Sequence, residues 1–557
     1  MAGERLMLGL DFGTDTVRAV IVDAENGNEE SNAVAPYPRW SQGAYCRPEQ
    51  NQFRQHPLDY TEGLQTAVRT ALSRLPAGAA QAVAGIGIDT TGSTPCAVDR
   101  EGKPLALTAQ FAEDPDAMFI LWKDHTGVRE AEHINSTART WGGTDFTQYE
   151  GGVYSSEWFW SKILHVLRTN EQIRKAAFSW VEHCDWMPAL LCDAQDPLSI
   201  KRSRCAAGHK AMWHAQWGGL PPEDFLVRID PLLAGLRERL YTDTYTAEVK
   251  VGGLCAEWAS RLGLSPDIAV TVGAFDAHIG AVGGGIGERT LAKIMGTSTC
   301  DMIVAAKHVI GDKLISGICG QVDGSIVPGL IGLEAGQSAY GDVYAWFRDL
   351  LTWPLGSLES VVDREVGKQI ADHMRETLLV ELAAAAAATP LEESGPVALD
   401  WLNGRRTPFA DQALRGGILG LALGSTAPRV YRALVESTAF GAKAIVEQFE
   451  REGVAIDEVV ALGGIAMRSE FVMQVTSDIL KVPIKVARSE QACALGGAMF
   501  AAVACGLYPT VTAAQERMSS GFERTFVPDA QNAHTYQGLY AKYLALGKIA
   551  EREFRTS

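Results

Sequence analysis

The chain writes one local pattern twice. The first copy is Leu8-Gly9-Leu10-Asp11-Phe12-Gly13-Thr14-Asp15-Thr16-Val17-Arg18-Ala19-Val20-Ile21-Val22-Asp23. The second is Leu291-Ala292-Lys293-Ile294-Met295-Gly296-Thr297-Ser298-Thr299-Cys300-Asp301-Met302-Ile303-Val304. Each is an apolar run, a Gly-Thr turn with small polar residues, and a second apolar run, which predicts a β-hairpin. Such a turn exposes backbone N–H groups and hydroxyls, a chemistry suited to phosphate. One copy per half predicts two lobes that close on one polyphosphate.

A chain of 557 residues has room for two large domains. The repeat places their boundary near 287, giving units 1–287 and 288–557. The net charge of −17 gives no electrostatic footprint for nucleic acid. A polyphosphate must then be met by local donors and Mg²⁺ rather than by a global field. The ten cysteines are scattered and form no CxxC pair, which argues against zinc or thioredoxin-like chemistry and for a reducing, cytoplasmic setting. No apolar run approaches the ~18 residues of a membrane span. The N-terminus runs straight into a strand, so no signal peptide is expected. The expected assembly is a homodimer.

Between the hairpins, helical spacing covers 58–75, and an apolar strand over 83–89 leads into Thr90-Thr91-Gly92-Ser93-Thr94-Pro95. Residues 115–230 are rich in tryptophan and histidine and read as a pocket-building region. A strand over 268–273 precedes Asp276. The second half repeats the scheme, with a strand pair over 290–305 and 314–330, a strand over 459–464, and helices near 338–352, 360–388, 428–452, 469–481 and 492–504. Ala383–Ala388 reads as plain helix, stopped by Thr389-Pro390. Gly496-Gly497 inside an apolar helix predicts close backbone packing.

Asp11, at a strand end beside a turn, can hold Mg²⁺, usually through water, while Gly13 and Thr14 reach phosphate oxygens. An ordinary hairpin turn would use the same residue types. No GxxxxGK[ST] pattern occurs, which excludes a P-loop enzyme. Asp276, in Gly273-Ala274-Phe275-Asp276-Ala277-His278, is either a helix N-cap or a general base for a hydroxyl attacking phosphorus. Gly463-Gly464 would let a flat base lie against the backbone, or would serve packing alone. Lys210 and Glu334 each occupy a polar break among apolar neighbours, where solvation is the ordinary reading. His209 and His214, five apart, are a poor metal pair on a helix and read as packing or hydrogen-bonding residues. His278 is expected to be structural.

Together these segments resemble the FGGY carbohydrate kinases over essentially the whole chain. The resemblance is carried by the two turns, GAFDAHIGAVG, ALGGIAMRS and the glycine-bearing helix near 496. It implies an α/β fold of two ribonuclease-H-like, actin-like ATPase lobes, with mixed sheets flanked by helices and an ATP cleft between them. The segments LGLDFGTDTVRA, IGIDTTGSTP, LWKDHT, GGVYSSEWFWSKILHV, HCDWMPALL, GICGQVDGS, GLEAGQSAYGD and WLNGRRTP narrow it to members acting on a ketopentose. The implied activity is ATP-dependent conversion of L-ribulose to L-ribulose 5-phosphate in L-arabinose catabolism. The alternative is another ketose or pentitol, such as D-ribulose. Position by position, the resemblance makes Asp276 the base and Asp11, Gly13 and Thr14 the first phosphate segment, with Asp11 toward Mg²⁺. Gly296, Thr297 and Ser298 form the second, and Gly341, Gly464 and Arg468 lie on the adenosine side. Lys210 and Glu334 hold the sugar, and Cys96, Trp122 and Tyr154 line its pocket. A rival reading, an actin-like ATP-binding scaffold for protein partners, would lack the tryptophan-rich insertion.

Overall fold

Both hairpins form, and each begins a sheet of the same plan. In the computed structural model, which describes residues 5–360 and 362–555, two seven-stranded mixed sheets dominate. The first contains β1 (Leu6–Phe12), β2 (Thr16–Asp23), β3 (Glu29–Pro36), β4 (Val83–Thr90), β5 (Lys250–Gly253), β6 (Ala269–Thr271) and β7 (Ala274–Phe275). Its order is β3-β2-β1-β4-β6-β5, with β7 also paired to β4. The second contains β8 (Thr290–Met295), β9 (Thr299–Ala306), β10 (Gly320–Asp323), β11 (Leu330–Ala335), β12 (Glu458–Leu462), β13 (Ile484–Ala487) and β14 (Phe522–Phe526). Its order is β10-β11-β9-β8-β12-β13-β14.

The correspondence is topological. In each sheet the hairpin is antiparallel, a third strand joins its second arm antiparallel, and a later strand joins its first arm parallel. β1 is buried along its length and β4 at every residue but Ala84, as strands covered on both faces must be. The apolar stretch 314–330 is not one strand. Gly324 at φ 74° and Gly329 at φ 87° turn the chain, so only β10 lies within it and β11 begins at its end.

The helices that position the site are α1 (Pro57–Ser73), α2 (Phe159–Thr169), α3 (Arg204–Lys210), α4 (Asp276–Gly283), α5 (Gly341–Thr352), α6 (Arg364–Ala388), α7 (Ala427–Arg451), α8 (Gly464–Arg468) and α9 (Ala492–Ala504). The six-alanine run closes α6, and Thr389 caps it. α4 and α9 share one core with residues of both sheets, among them Met7, Val20 and Val22 from the first and Ala292, Met302, Val460 and Leu462 from the second. α9 therefore joins the halves.

Glycine makes that seat possible. A Cβ on Gly87 of β4 would lie 1.8 Å from the carbonyl oxygen of Gly497, and one on Gly9 of β1 would lie 1.8 Å from that of Ala494. Overpacking ordinarily costs ~1–3 kcal/mol, and here the obstacle is backbone, which cannot rotate away. Gly87→Ala is accordingly expected to lose at least ~3 kcal/mol. A denaturant midpoint equal to that of the parent protein would refute this packing.

Candidate active site

The first turn is closed by Gly13 N–H donating to Thr16 O at 3.0 Å, and Thr14 is half-buried beside it. Trp122 donates its indole N–H to Thr14 Oγ1 at 3.0 Å, and Gln55 donates to Thr14 O at 2.6 Å. Trp122 is thus tied to the first turn. Its segment is held by Lys162 of α2, whose buried ammonium donates to Ser93 O at 2.7 Å and Leu121 O at 2.8 Å.

The second turn leaves Gly296 and Thr297 exposed, with Gly296 N–H donating to Ser298 O at 3.0 Å. The start of α5 docks on it: Tyr340 and Asp342 donate to Thr297 O, and Gly341 donates to Gly296 O. A Cβ on Gly341 would meet Gly296 O at 2.6 Å and Ile465 of α8 at 2.8 Å, so glycine is what allows turn, α5 and α8 to converge. Gly464 opens α8, and Arg468 folds back to donate to Gly464 O at 3.0 Å. The structure thereby brings Gly296, Thr297, Ser298, Gly341, Gly464 and Arg468 into one corner. Beneath it lies a buried ion pair, Lys293 Nζ to both Asp301 oxygens at 2.9 Å, extended by Gln337 to Asp400 and Thr438.

At the carboxyl end of β1, Asp11 accepts from Arg18 at 2.7 Å. Strand register sets Asp89 of β4 directly beside it. Asp89 is 0% exposed, and neither of its carboxyl oxygens has a hydrogen-bond partner. Burial, followed by the charges of Asp11 and Asp276, pushes its carboxyl well above the usual range. Asp11, Asp89 and Cys493 can offer ligand atoms within 4.8 Å of one another. A carboxyl group with both oxygens unpartnered, set beside a second carboxylate, fits a hard cation. Asp89 was not singled out above, although Leu8-Gly9-Leu10-Asp11 and Ile86-Gly87-Ile88-Asp89 share one pattern.

Asp276 starts α4, where its Oδ1 accepts from the N–H of Ala277 at 2.6 Å. Burial first, and then the charge of Asp11, raise its carboxyl to about 7. A carboxylate poised near neutrality is what proton abstraction at physiological pH needs.

Lys210 and Glu334 come from opposite halves, at the end of α3 and on β11. Lys210 Nζ meets Glu334 Oε1 at 2.9 Å and Oε2 at 3.1 Å, and stands 4.9 Å over the Trp158 ring. Burial alone would raise the Glu334 carboxyl. The Lys210 ammonium and then the imidazoles of His209 and His278 instead hold it at about 2. The solvated reading of this lysine and this glutamate therefore does not hold, since both are buried.

Tyr154 does not present its hydroxyl to this space. It donates to Lys210 O at 2.6 Å and accepts from Trp160 N–H at 3.0 Å, fixing the backbone under Lys210. Cys96 is not brought to the group. It is fully buried on a short strand in the first core, its thiol facing the carbonyls of Ala97 and Ala117, because alternation along that strand turns it inward. His209 and His278 were expected to be structural, yet both lie on Glu334. The remaining unanticipated group is Arg406, 3.9 Å from Glu157 across the halves and in the field of Glu334.

Residues 291–505 match the C-terminal domain of the FGGY family of carbohydrate kinases. Over its full span the chain is similar to proteins named ribulokinase. It is 49% identical to that of Vibrio parahaemolyticus, covering 99% of this chain and 97% of the relative. It is 37% identical to that of Halalkalibacterium halodurans, covering 97% and 94%, and 35% identical to that of Mycolicibacterium smegmatis, covering 97% and 93%. Among solved structures, the fold is similar to a xylulose kinase from Rhodospirillum rubrum (TM-score 0.77, 19% identity, 99% and 100% covered). It is also similar to a Plasmodium falciparum glycerol kinase with ADP (TM-score 0.72, 15% identity, 98% of each chain covered).

Proposed function

We propose that this chain, which belongs to the FGGY family of carbohydrate kinases, phosphorylates L-ribulose at its terminal hydroxyl to give L-ribulose 5-phosphate, as a step of L-arabinose breakdown. That it is a carbohydrate kinase, and so an ATP-using transferase, is the premise. The substrate rests on one observation, the end-to-end similarity to proteins named ribulokinase. No helix among the described residues is long and apolar enough to cross a membrane.

In this reading the sugar lies between the halves. Lys210 donates to its hydroxyls, Glu334 accepts from them, and Trp158 and Arg406 bound the space. The terminal hydroxyl gives its proton to Asp276 as its oxygen attacks the γ-phosphorus, and ADP leaves. The turns at Gly13-Thr14 and at Gly296-Thr297-Ser298 hold phosphate oxygens, with Gly341, Gly464 and Arg468 beside the adenosine. Asp11 and Asp89 would hold Mg²⁺, which when bound offsets phosphate charge. Closing the halves around both substrates supplies positioning and excludes water.

The direct test is ADP release measured across a panel of ketoses and pentitols, with L-ribulose expected to give the highest kcat/KM. A panel led by D-ribulose or a pentitol would replace the substrate assignment. Sugar-independent ADP release with no sugar phosphate formed would overturn the kinase mechanism.

Arg406 offers a sharper check, because its guanidinium reaches toward Glu157 of the other half. Arg406 is half-buried, and losing its charge from beside the sugar is expected to cost about 1.4 kcal/mol or more, a factor of ten. Arg406→Ala should therefore reduce kcat/KM for the sugar at least about tenfold and leave the KM for ATP nearly unchanged. A change confined to ATP would place Arg406 on the nucleotide side instead.

A further inference from the structure

We infer that His209, His278 and Glu334 form a binding site for one borderline divalent cation of the zinc and cobalt class, and that its occupancy competes with the sugar. The three residues come from the end of α3, the first turn of α4 and β11. Each can offer one ligand atom, and these atoms lie within 4.8 Å of one another. His209 Nδ1 is 3.2 Å from Glu334 Oε2, and His278 Nε2 is 3.7 Å from the same oxygen. The ring centroids are 4.5 Å apart.

These approaches are close, but they are not hydrogen bonds. His209 is 0% and His278 2% exposed, yet His209 Nδ1 and both ring nitrogens of His278 lack a hydrogen-bond partner. An unsatisfied buried polar atom costs ~1–3 kcal/mol, and two of these three, His209 Nδ1 and His278 Nε2, converge on Glu334 Oε2, so together they call for a ligand. The spacing says which kind. Around a shared tetrahedral ion with metal bonds of ~2.1 Å, neighbouring ligand atoms stand about 3.4 Å apart. The separations of 3.2 and 3.7 Å bracket that value.

The surroundings support the same state. His209 Nε2 is 2.9 Å from Ser325 Oγ, whose hydroxyl in turn donates to Val322 O at 3.2 Å. Ser325 then accepts the Nε2–H, and the Nδ1 lone pair is left facing Glu334. Such an outer partner is how proteins orient a ligating imidazole. Burial pushes His209 well below its ordinary value and His278 to about 4, which keeps both rings neutral as ligation requires. Two imidazoles and one carboxylate select zinc-class ions over Mg²⁺, which prefers oxygen. Lys210 donates to both Glu334 oxygens, at 2.9 and 3.1 Å, so an ion on Oε2 shares that oxygen with the ammonium. The ammonium beside it weakens the site.

The competition clause rests on the reading of Lys210 and Glu334 as sugar ligands; the ion site does not. The experiment titrates chelator-treated full-length protein with Zn²⁺ by calorimetry and with Co²⁺ by visible absorption, with and without L-ribulose. The expected result is one ion with tetrahedral Co²⁺ bands that survive Cys493→Ser, which removes the soft ligand of the Asp11–Asp89 group. His278→Ala and His278→Gln should each weaken binding at least tenfold while near-ultraviolet dichroism stays that of the parent protein, and Lys210→Met should tighten it. Failure to bind an ion, or binding that only Cys493→Ser removes, would overturn the proposal. So would binding that both His278 variants leave intact. If the ion binds as expected but L-ribulose does not displace it, the cation site stands and the sugar placement falls.

Discussion

Asp276→Asn should lower kcat by ~10²–10⁴, the usual contribution of a general base, with little change in the KM for ATP. The amide keeps the size and the helix-start position of the carboxylate and removes only its proton affinity. Near-normal turnover in this variant would take Asp276 out of the mechanism. The pH profile gives an independent reading. Burial and the charge of Asp11 raise this carboxyl to about 7, so the base form accumulates as pH rises through neutrality. Turnover should rise on that limb, and the limb should vanish in Asp276→Asn. Stability should run the other way. A carboxyl raised in the folded state contributes nothing below the unfolded value near 4 and opposes folding fully above about 7. Asp276→Asn should therefore unfold at a higher temperature than the parent protein at pH 8, and at the same temperature near pH 3. Equal melting at both pH values would mean that the carboxyl is not raised.

Lys210→Met should carry the next largest effect, on sugar affinity and on stability together. Removing one partner of a buried ion pair costs ~3–5 kcal/mol, because the other charge stays buried. The sugar KM should rise at least tenfold while the KM for ATP moves little. An unchanged sugar KM would end the assignment of Lys210 to the sugar. The acid side supplies the sign check. The Glu334 carboxyl is held at about 2 in the folded protein, so the pair's stabilisation is complete above the unfolded value near 4.5 and is lost as pH falls toward 2. Lys210→Met should flatten that acid-side loss, which thermal melts between pH 2 and 5 would read directly.

What was legible beforehand divides by range. The hairpins, α1, α6, α7 and the boundary of the polyalanine helix follow from periodicity and turn residues a few positions apart, and the structure has them where the pattern put them. The stretch 314–330 was misread because two glycine turns outweighed its apolar run. In the site, Asp11, Lys210, Asp276 and Glu334 could be singled out one by one, but their grouping could not. Lys210 and Glu334 are 124 positions apart and touch. His209 and His278 looked inert because each was judged on its own helix, where no neighbour is a ligand. Cys96 and Tyr154 sit in suggestive segments, but only packing decides their surroundings: the thiol lies in a core and the phenol hydroxyl on the backbone of Lys210. Asp89 is the instructive case, since its pattern repeats that of Asp11 and parallel register makes them neighbours.

The amino-acid sequence alone determined the repeated turn, the α/β class and the identity of the groups able to hold phosphate, a proton or a sugar. Those properties are carried by local spacing and by side-chain chemistry. Only the tertiary structure decided which of these groups face one another. α9 crosses from its own half to seat on Gly9 and Gly87, and that seat brings the two sheets close enough for Lys210 to meet Glu334. A contact between distant strands depends on the sum of many packing interactions, and no window of sequence contains that sum.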